Sequence, residues 1–343
     1  MHQFMVLERR SMVSIRDVAD HCGLSTATVS RVLAGKDHVR DEVRQRVREA
    51  VALLNYRPNR VARSLRSNRS TTIGLVVADI QNPYFTRICR AVEDTALRAG
   101  FAVFLCNTDE DPEKENLYLS HLADENVAGI IFAPTGKAIR DISKMKDLGM
   151  PLVVIDRPID HGLADSVVID NVGAAFELTE HLISHHRTRI AGIFGARSAT
   201  GRERWKGFSL ALQKHGLAEE RELVLSVPPQ EDEGYKAVQQ LLAMAAPPDA
   251  ILTSNELLAV GAYRALMETG GRCPEKISFA SFDNAAWSAL VHPSVTVIEQ
   301  PTYEIGSSAA ELLLQRIEDP NRSIRQVALK HRLLIRNSCG CLP

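Results

Sequence analysis

The sequence predicts two folds in tandem: a small all-α helix-turn-helix headpiece, then a larger α/β body with parallel sheets under helices. Within the first sixty residues, short helical patterns surround a turn that contains glycine. Beyond residue 71, short β-branched runs alternate with amphipathic segments, which is typical of buried parallel strands connected by helices. A chain of 343 residues also exceeds the usual size of one domain.

Charge is divided unevenly between these two parts. Residues 1–70 hold 14 Lys and Arg against 7 Asp and Glu, so the rest of the chain holds 27 against 35. A basic head on an acidic body is typical of a protein whose head meets phosphates. Charge alone leaves open the alternative that the basic surface is merely solvated.

The first two helices of the headpiece follow from apolar spacing and from capping residues. Four apolar residues recur at the i, i+3, i+4, i+7 spacing of a short amphipathic helix: Ile15, Val18, Ala19 and Cys22. Ser14 is placed to cap this helix, and Gly23 ends it. Ser25 then caps a second helix, predicted over residues 26–33. Two short helices joined by a tight turn predict a helix-turn-helix.

A third helix, predicted from about Asp41 to Asn55, completes a three-helix core. Its apolar face carries Val43, Val47, Ala50, Val51 and Leu54. Its other face carries Arg44, Arg46 and Arg48, which contact either solvent or DNA phosphates.

The second helix is the predicted base-reading element, because this helix of the motif lies in the major groove of DNA. Arg31 can pair with a guanine through two hydrogen bonds, and the Ala27 methyl can pack on a thymine methyl. For Thr26 and Thr28 the alternative is ordinary helix surface. The candidate DNA-binding residues of this helix and its cap are Ser25, Thr26, Ala27, Thr28, Ser30 and Arg31.

The segment after Pro58 predicts a short helix from Arg60 to Arg66 that forms only against a partner, since so few residues do not stay helical in water. Leu65 is an apolar residue among arginines, a composition that suits insertion between base steps of the minor groove. A flexible linker would carry Gly and Ser instead. The candidate DNA-binding residues here are Asn59, Arg60, Ala62 and Leu65.

The chain resembles the LacI/GalR family of bacterial transcription regulators in two runs, SIRDVADHCGLSTATVSRVLAG and NYRPNRVARSLRSNRSTTIGLVVADIQNPYF. The resemblance covers essentially the whole chain. It implies a repressor whose dimer binds a palindromic operator, with Thr26, Ala27 and Arg31 reading bases and Leu65 inserted in the minor groove. One departure is Arg40, where relatives begin the third helix with a serine cap, and Asp41 is expected to replace that cap.

Nine apolar runs of the body predict strands that are buried on both faces: TTIGLVVAD, FAVFLCNT, VAGIIFAPT, LVVID, SVVID, RIAGIFG, DAILTS, ISFASFD and VTVIEQ. Polar residues follow many of these runs. Each one taken singly is more often a turn residue. Their recurrence at strand ends predicts one ligand cleft, and their chemistry suits hydroxyl-rich ligands such as sugars.

The resemblance implies that the body is like a type I periplasmic sugar-binding protein with two lobes. On that likeness Tyr84 and Phe85 form an aromatic wall, Asp156 accepts from hydroxyls, and Arg204 contacts the effector. The other candidate effector-binding residues are Asp79, Asn107, Asn255, Asp283 and Gln300. The runs SATGRER, IDRP and IDN resemble gluconate-type members, which favours gluconate or a keto-gluconate among sugars and sugar acids. Whether the effector induces or co-represses is left open.

The predicted boundaries are a disordered extension at 1–13, a headpiece at 14–58, a hinge helix and linker at 59–70, an N-terminal lobe at 71–169 with 302–329, and a C-terminal lobe at 170–301 with 330–343. A homodimer is expected, and the C-terminal sequence has no leucine heptads that would build a tetramer.

The sequence disfavours two other classes of protein. An enzyme is disfavoured because the sequence lacks a Gly-x-Ser-x-Gly elbow, a P-loop and a His-Glu-x-x-His motif. A sugar receptor without regulation is disfavoured by the basic head and by the absence of a signal peptide or membrane span, which predict a cytoplasmic protein. The sequence predicts no cofactor and no metal site. The cysteines are expected to be reduced, Cys339 and Cys341 to form a mobile tail, and His185 with His186 to lie on the surface.

Overall fold

A computed structural model describes residues 13–33, 35, 39–56, 70–135, 143, 145, 147–157, 163–196, 198–268, 270 and 273–340. It divides the chain into two compact units, residues 1–69 and 70–343. The predicted extension and hinge helix, including Asn59, Arg60, Ala62 and Leu65, lie outside the described residues except for Val13 and Ser70.

The described part of the first unit contains three helices, α1 (Ile15–Cys22), α2 (Thr26–Leu33) and α3 (Asp41–Leu53). Their shared core consists of Val18, Ala19, Cys22, Val29, Val47 and Ala50. The caps of α1 are those that the sequence predicts. Ser14 and Asp17 form a reciprocal capping box, and Gly23 ends the helix in the left-handed conformation at φ 60°.

α3 begins at Asp41, as predicted, but its cap and its end differ from the prediction. Asp41 is the first helical residue, and neither its side chain nor that of Arg40 caps the helix. Arg44 is not a freely solvated residue, since its Nε donates to the Val39 carbonyl at 3.1 Å and so holds the chain just before the helix. The helix ends at Leu53 because Asn55 adopts a left-handed conformation at φ 48°.

The second unit contains two six-stranded sheets, with strand orders β11-β5-β4-β3-β1-β2 and β12-β10-β9-β8-β6-β7. The strands are β1 (Thr72–Val77), β2 (Ala102–Asn107), β3 (Ile130–Phe132), β4 (Leu152–Ile155), β5 (Asp165–Ile169), β6 (Ile190–Gly195), β7 (Val224–Val227), β8 (Ala250–Thr253), β9 (Ser278–Phe282), β10 (Thr296–Glu299), β11 (Gln326–Leu329) and β12 (Arg332–Leu334). We call the first sheet with its helices the N-lobe and the second the C-lobe.

Helices connect the parallel strands of both lobes. They are α4 (Pro83–Arg98), α5 (Pro112–Asp124), α6 (Asn171–Ser184), α7 (Ala199–Lys214), α8 (Glu231–Leu242), α9 (Glu256–Glu268), α10 (Ala286–Leu290) and α11 (Thr302–Glu318). The lobes repeat one topology, since the first and third strands of each lobe along the chain are neighbours in its sheet: β1 with β3, and β6 with β8. The chain passes between lobes after β5, after β10 and after β11. Among the described residues, no helix has both the length and the apolar character that a membrane crossing requires.

All nine predicted strands are present, but one is not buried on both faces. β2 lies at the edge of its sheet, and its Phe104 and Leu105 are 49% and 48% exposed. Sequence patterning missed β7, β11 and β12, whose residues are mostly half-buried or exposed. These three strands lie at sheet edges, where their exposed positions break the continuous apolar pattern of the central strands, a pattern that the edge strand β2 retains.

The C-lobe helices α8 and α9 pack through glycines. An added Cβ at Gly261 would lie 1.8 Å from the Glu231 carbonyl oxygen, and one at Gly234 would lie 2.3 Å from that of Leu258. Both contacts are with backbone atoms, which cannot rotate away as a side chain can. The two helices can therefore approach this closely only with glycine at these positions.

We expect Gly261→Ala to lower the free energy of unfolding of the body by about 1–3 kcal/mol, because the methyl group would force the helices apart. Chemical denaturation followed by circular dichroism measures the change. Gly195→Ala is the matched control, since its added Cβ would lie 3.6 Å from the nearest atom, on Pro229. Equal stability of the two variants would contradict the helix-contact argument.

Candidate functional site

A cleft of about 1130 Å³ opens between the lobes, at the carboxyl ends of their central strands. In open α/β sheets this edge is where ligands bind, because loops and helix N-termini converge there. Eight of the nine predicted effector-binding residues line it: Asp79, Tyr84, Phe85, Asp156, Arg204, Asn255, Asp283 and Gln300. The structure therefore brings together residues that are more than 200 positions apart in sequence.

Asn107 is the exception, because it supports a loop instead of lining the cleft. Its Oδ1 accepts a hydrogen bond from the Ile80 amide at 2.9 Å, and its Nδ2 donates to Asp109 at 2.6 Å. Asn107 is therefore a turn residue that stabilises the loop after its strand, the alternative that the sequence left open for each of these polar residues.

The N-lobe wall is organised around Asp156, which follows β4 in a left-handed conformation at φ 69°. The Tyr84 hydroxyl donates to this carboxylate. Burial raises the pKa of Asp156, and the positive charges of Arg157 and Arg204 oppose that shift. Burial, followed by the nearby Asp156 charge, also raises the pKa of Tyr84 well above its ordinary value, so this hydroxyl stays protonated as a donor.

The C-lobe wall is organised around Asp283, which follows β9 at φ 75° and is the counterpart of Asp156. Its carboxylate accepts from Gln300 Nε2 at 2.6 Å and from the Glu256 amide at 3.2 Å. The Gln300 Oε1 atom is buried and has no hydrogen-bond partner among the described residues. An unsatisfied buried acceptor beside the cleft suits a ligand that brings a hydroxyl donor.

Arg204 on α7 is 4% exposed and is held by three contacts within the C-lobe. Its Nε donates to Asn171 Oδ1 at 2.8 Å, and its Nη1 donates to the Ser254 carbonyl at 2.5 Å. Its guanidinium carbon lies 4.0 Å from the ring centre of Phe282. These contacts fix the orientation of the guanidinium at the cleft wall.

Sequence reasoning missed Glu110, which pairs with Arg157 in the N-lobe. Arg157 is 3% exposed and donates to both carboxylate oxygens of Glu110, to the Pro134 carbonyl at 2.5 Å and to Asp156 at 3.3 Å. Glu110 lies three residues beyond β2 and has no pattern that would distinguish it from other loop acids. The only signal in the sequence is the positive charge of Arg157, because a buried arginine needs an acidic partner.

The cleft is strongly acidic. Its acidic lining residues are Asp79, Asp109, Glu110, Asp156, Glu231, Asp232 and Asp283, against two arginines, Arg157 and Arg204. Both arginines already have partners within the wall. The pKa of Asp79 is raised chiefly by burial, and the like charges of Asp109 and Glu110 add to the shift. From outside the lining, Lys114 pairs with Asp109, and Arg264 pairs with Glu231 and Asp232. The surplus of negative charge that remains disfavours an anionic ligand.

One ion pair joins the lobes beside this cleft. Arg87 on α4 lies 3.8 Å from Glu256 on α9, and the Glu256 Oε2 atom has no hydrogen-bond partner among the described residues. Burial and the neighbouring Asp283 charge raise the pKa of Glu256 to about 7, and Arg87 opposes the shift. The interlobe contact therefore includes a carboxyl group that titrates near neutral pH.

On the headpiece, α2 presents a continuous accessible face. Thr26, Ala27 and Arg31 are exposed, whereas Thr28 and Ser30 are half-buried. Ser25 caps the helix, since its Oγ accepts from the Thr28 amide at 3.2 Å, and the two hydroxyls lie 2.9 Å apart. The Ser25 and Thr28 hydroxyls are therefore already paired, and Thr26, Ala27 and Arg31 form the rest of the exposed surface of this helix.

Comparisons with known proteins match both units. Residues 14–59 match the family model of bacterial regulatory proteins of the lacI family, and residues 70–337 match that of periplasmic binding proteins and the sugar-binding domain of the LacI family. The chain is 35% identical over 328 residues to the ribose operon repressor of Halalkalibacterium halodurans, which covers 95% of this chain and 97% of that one.

Two solved structures are similar over the same length. A lac repressor dimer bound to operator and the anti-inducer ONPF has a TM-score of 0.86 at 26% identity, covering 96% of this chain and 99% of that one. A complex of the transcriptional regulator CelR with cellobiose has a TM-score of 0.72 at 28% identity, covering 95% and 99%.

We expect Glu256→Gln to change how stability depends on pH. Because the folded-state pKa of about 7 exceeds the ordinary 4.5, the folded wild type binds the extra proton between these values, and its stability falls as pH rises through this window. Glutamine does not titrate. The free energy of unfolding of the variant, relative to that of wild type, should therefore rise by on the order of 3 kcal/mol between pH 4.5 and pH 8. Thermal unfolding at pH 5 and pH 8 measures this.

The matched control is Glu311→Gln, because Glu311 is an exposed residue on α11. Its difference from wild type should be the same at both pH values. If the difference in stability between Glu256→Gln and wild type were also the same at pH 5 and pH 8, the Glu256 carboxyl would titrate in its ordinary range.

Proposed function

Because this chain belongs to the LacI family of bacterial regulatory proteins, we propose that it is a homodimeric repressor that binds a palindromic operator and responds to a neutral sugar. The match to this family excludes the alternative that the chain is an enzyme. It includes the headpiece as well as the body, which also sets aside a sugar receptor without regulation. The observation that carries the choice of effector is the acidic cleft, in which Arg157 is paired with Glu110 and Arg204 is hydrogen-bonded to Asn171. A regulator of this kind acts on the chromosome, which places it in the bacterial cytoplasm.

Operator binding is assigned to the exposed face of α2. Arg31 can pair bidentately with a guanine, and Ala27 can pack on a thymine methyl. The similar lac repressor structure is a dimer bound to operator, which supports a palindromic site read by two headpieces. Leu65, together with Asn59, Arg60 and Ala62, is proposed to act in the minor groove, where a short helix can fold against DNA.

Dimerisation is supported by an uncovered apolar edge of the N-lobe. β2 is the last strand of its sheet, and Phe104, Leu105 and Leu117 are about half exposed. Exposed apolar edge strands are normally covered, because they otherwise invite non-specific pairing. A second copy of the chain is the partner that a symmetric operator requires.

The cleft favours a neutral sugar over the gluconate-type acid that the sequence runs favoured. An anionic carboxylate would enter beside seven acidic residues and find both arginines engaged. Sugar hydroxyls, in contrast, can donate to Asp156, Asp283 and the unsatisfied Gln300 Oε1. The relative named as a ribose operon repressor and the structure with cellobiose support the same class.

The proposed response is a linkage between cleft closure and operator affinity. A sugar that contacts Asp156 in the N-lobe and Asp283 in the C-lobe favours one lobe arrangement over another, and operator DNA also prefers one arrangement. The sign of the response depends on whether both ligands prefer the same arrangement.

We expect neutral sugars, with ribose and cellobiose as the first probes, to raise the melting temperature, whereas gluconate should have little effect. A sugar at one hundred times its Kd stabilises the folded state by about 2.7 kcal/mol. Asp156→Asn should abolish this shift, and Asp124→Asn, a change at an exposed helix end, should retain it. A larger shift with gluconate than with every neutral sugar would refute the assignment.

We expect Arg31→Ala to weaken operator binding by about 1–3 kcal/mol, with little loss on random DNA, because bidentate base contacts carry sequence discrimination. The operator is first identified by selection from a random DNA library, and affinities are then measured by fluorescence anisotropy. Arg48 is an exposed arginine on α3, and Arg48→Ala serves as the control. This variant should weaken binding to operator and to random DNA equally, or not at all. Equal losses on both DNAs for Arg31→Ala would exclude a base-reading role.

A further inference from the structure

A cluster of metal-binding side chains lies in the C-lobe, away from the cleft. It consists of His181 and His185 at the end of α6 and Cys339 in the short 3-10 helix over Asn337–Cys339. One nitrogen from each imidazole and the Cys339 Sγ all lie within 4.8 Å of one another. Cys339 is more than 150 positions from the two histidines in sequence, so only the fold brings the thiol to them.

We propose that His181, His185 and Cys339 form a binding site for a divalent transition metal ion of the zinc class. Two imidazoles and a thiolate are the ligands that zinc prefers, and two histidines four residues apart on a helix face the same side. Three protein ligands leave a fourth position for water.

The geometry is close to that of a bound ion. Ligand atoms about 2.0–2.3 Å from a tetrahedral zinc ion lie about 3.4–3.6 Å from one another, so small rotations of the two rings would close the site. The ring centres are 4.8 Å apart, with the planes inclined at 71°. The backbone of His181 lies within α6, and His185 is the residue that caps the end of this helix.

One imidazole nitrogen of the cluster is not engaged in a hydrogen bond with any described residue. His181 Nε2 is buried and has no hydrogen-bond partner among the described residues. A buried polar atom without a partner is unfavourable, and coordination to a cation would satisfy it.

Cys339 is held in place independently of the histidines. The residue is fully buried, and its carbonyl accepts from Ser278 Oγ at 2.8 Å on β9. Next to it, Ser338 Oγ donates to the Phe279 carbonyl at 2.6 Å, and the Ser338 amide donates to the Ser294 carbonyl at 2.9 Å. The mobile tail predicted from the sequence is therefore wrong for Cys339, which is fixed to the central sheet.

Coordination is balanced by release of one proton. The Cys339 thiol, which lies 3.1 Å from the Arg336 carbonyl oxygen, loses its proton to solvent as the metal–thiolate bond forms. Arg187 is a cation close to His185, and its guanidinium is engaged by the Pro274 and Lys276 carbonyls. Its charge opposes the incoming cation, and the thiolate charge offsets it. A bound ion would tie the C-terminal turn to α6 and stabilise the C-lobe.

The test is a cobalt(II) titration of the full chain, reduced and freed of metal. We expect one cobalt ion per chain, with the thiolate-to-cobalt charge-transfer band and the visible bands of tetrahedral cobalt, both of which zinc(II) removes. Zinc at one hundred times its Kd should also raise the melting temperature by roughly 5–10 °C.

Cys339→Ser and His185→Gln should each abolish the thiolate band. His185→Gln changes a half-buried residue, so it decides the question if the cysteine variant does not fold. His186→Asn is the matched control and should bind as wild type does, because asparagine tolerates the left-handed φ of 61° at that position. Absence of the band in wild type, its persistence in His185→Gln, or its loss in His186→Asn would each overturn the proposal.

Discussion

The cleft depends on two buried carboxylates, Asp156 and Asp283, each placed at the end of an equivalent strand in one lobe. Both residues adopt the left-handed backbone conformation, which turns the chain sharply as it leaves the sheet. A buried carboxylate needs donors, and each lobe supplies its own: Tyr84 for Asp156, and Gln300 with the Glu256 amide for Asp283. The functional groups around the cleft are oriented largely by this requirement.

The cleft carries more acceptors than the protein itself can satisfy. Seven acidic residues face two arginines, each of which already has partners within the wall, and Gln300 Oε1 has none among the described residues. Such a surface binds a ligand rich in hydroxyl donors better than it binds an anion. Burial and the neighbouring Asp283 charge raise the pKa of Glu256 to about 7, and its interlobe partner Arg87 opposes the shift. Asp283 therefore acts both on the ligand cleft and on the contact between the lobes.

The C-lobe shows how the fold can give a local sequence a role that its pattern conceals. His185 and Cys339 look like a surface histidine and a residue of a terminal tail when each is read in sequence. In the structure the terminal turn is bonded to β9 and packed in the C-lobe core, which places the thiol beside the end of α6. Three separate side chains thereby become one set of potential ligands.

The sequence by itself determined the helix-turn-helix, nine of the twelve described strands and eight of the residues that line the cleft. Among those eight, the family resemblance implied Tyr84, Phe85 and Arg204. The other features follow from local rules: apolar spacing, caps such as Ser14 and Gly23, and polar residues at the ends of buried strands. Only the tertiary structure decided the pairing of Arg157 with Glu110, the edge position of β2 and the approach of Cys339 to His181. Each of these joins residues far apart in sequence or depends on which strands are neighbours, and neither property is carried by the local periodicity of the chain.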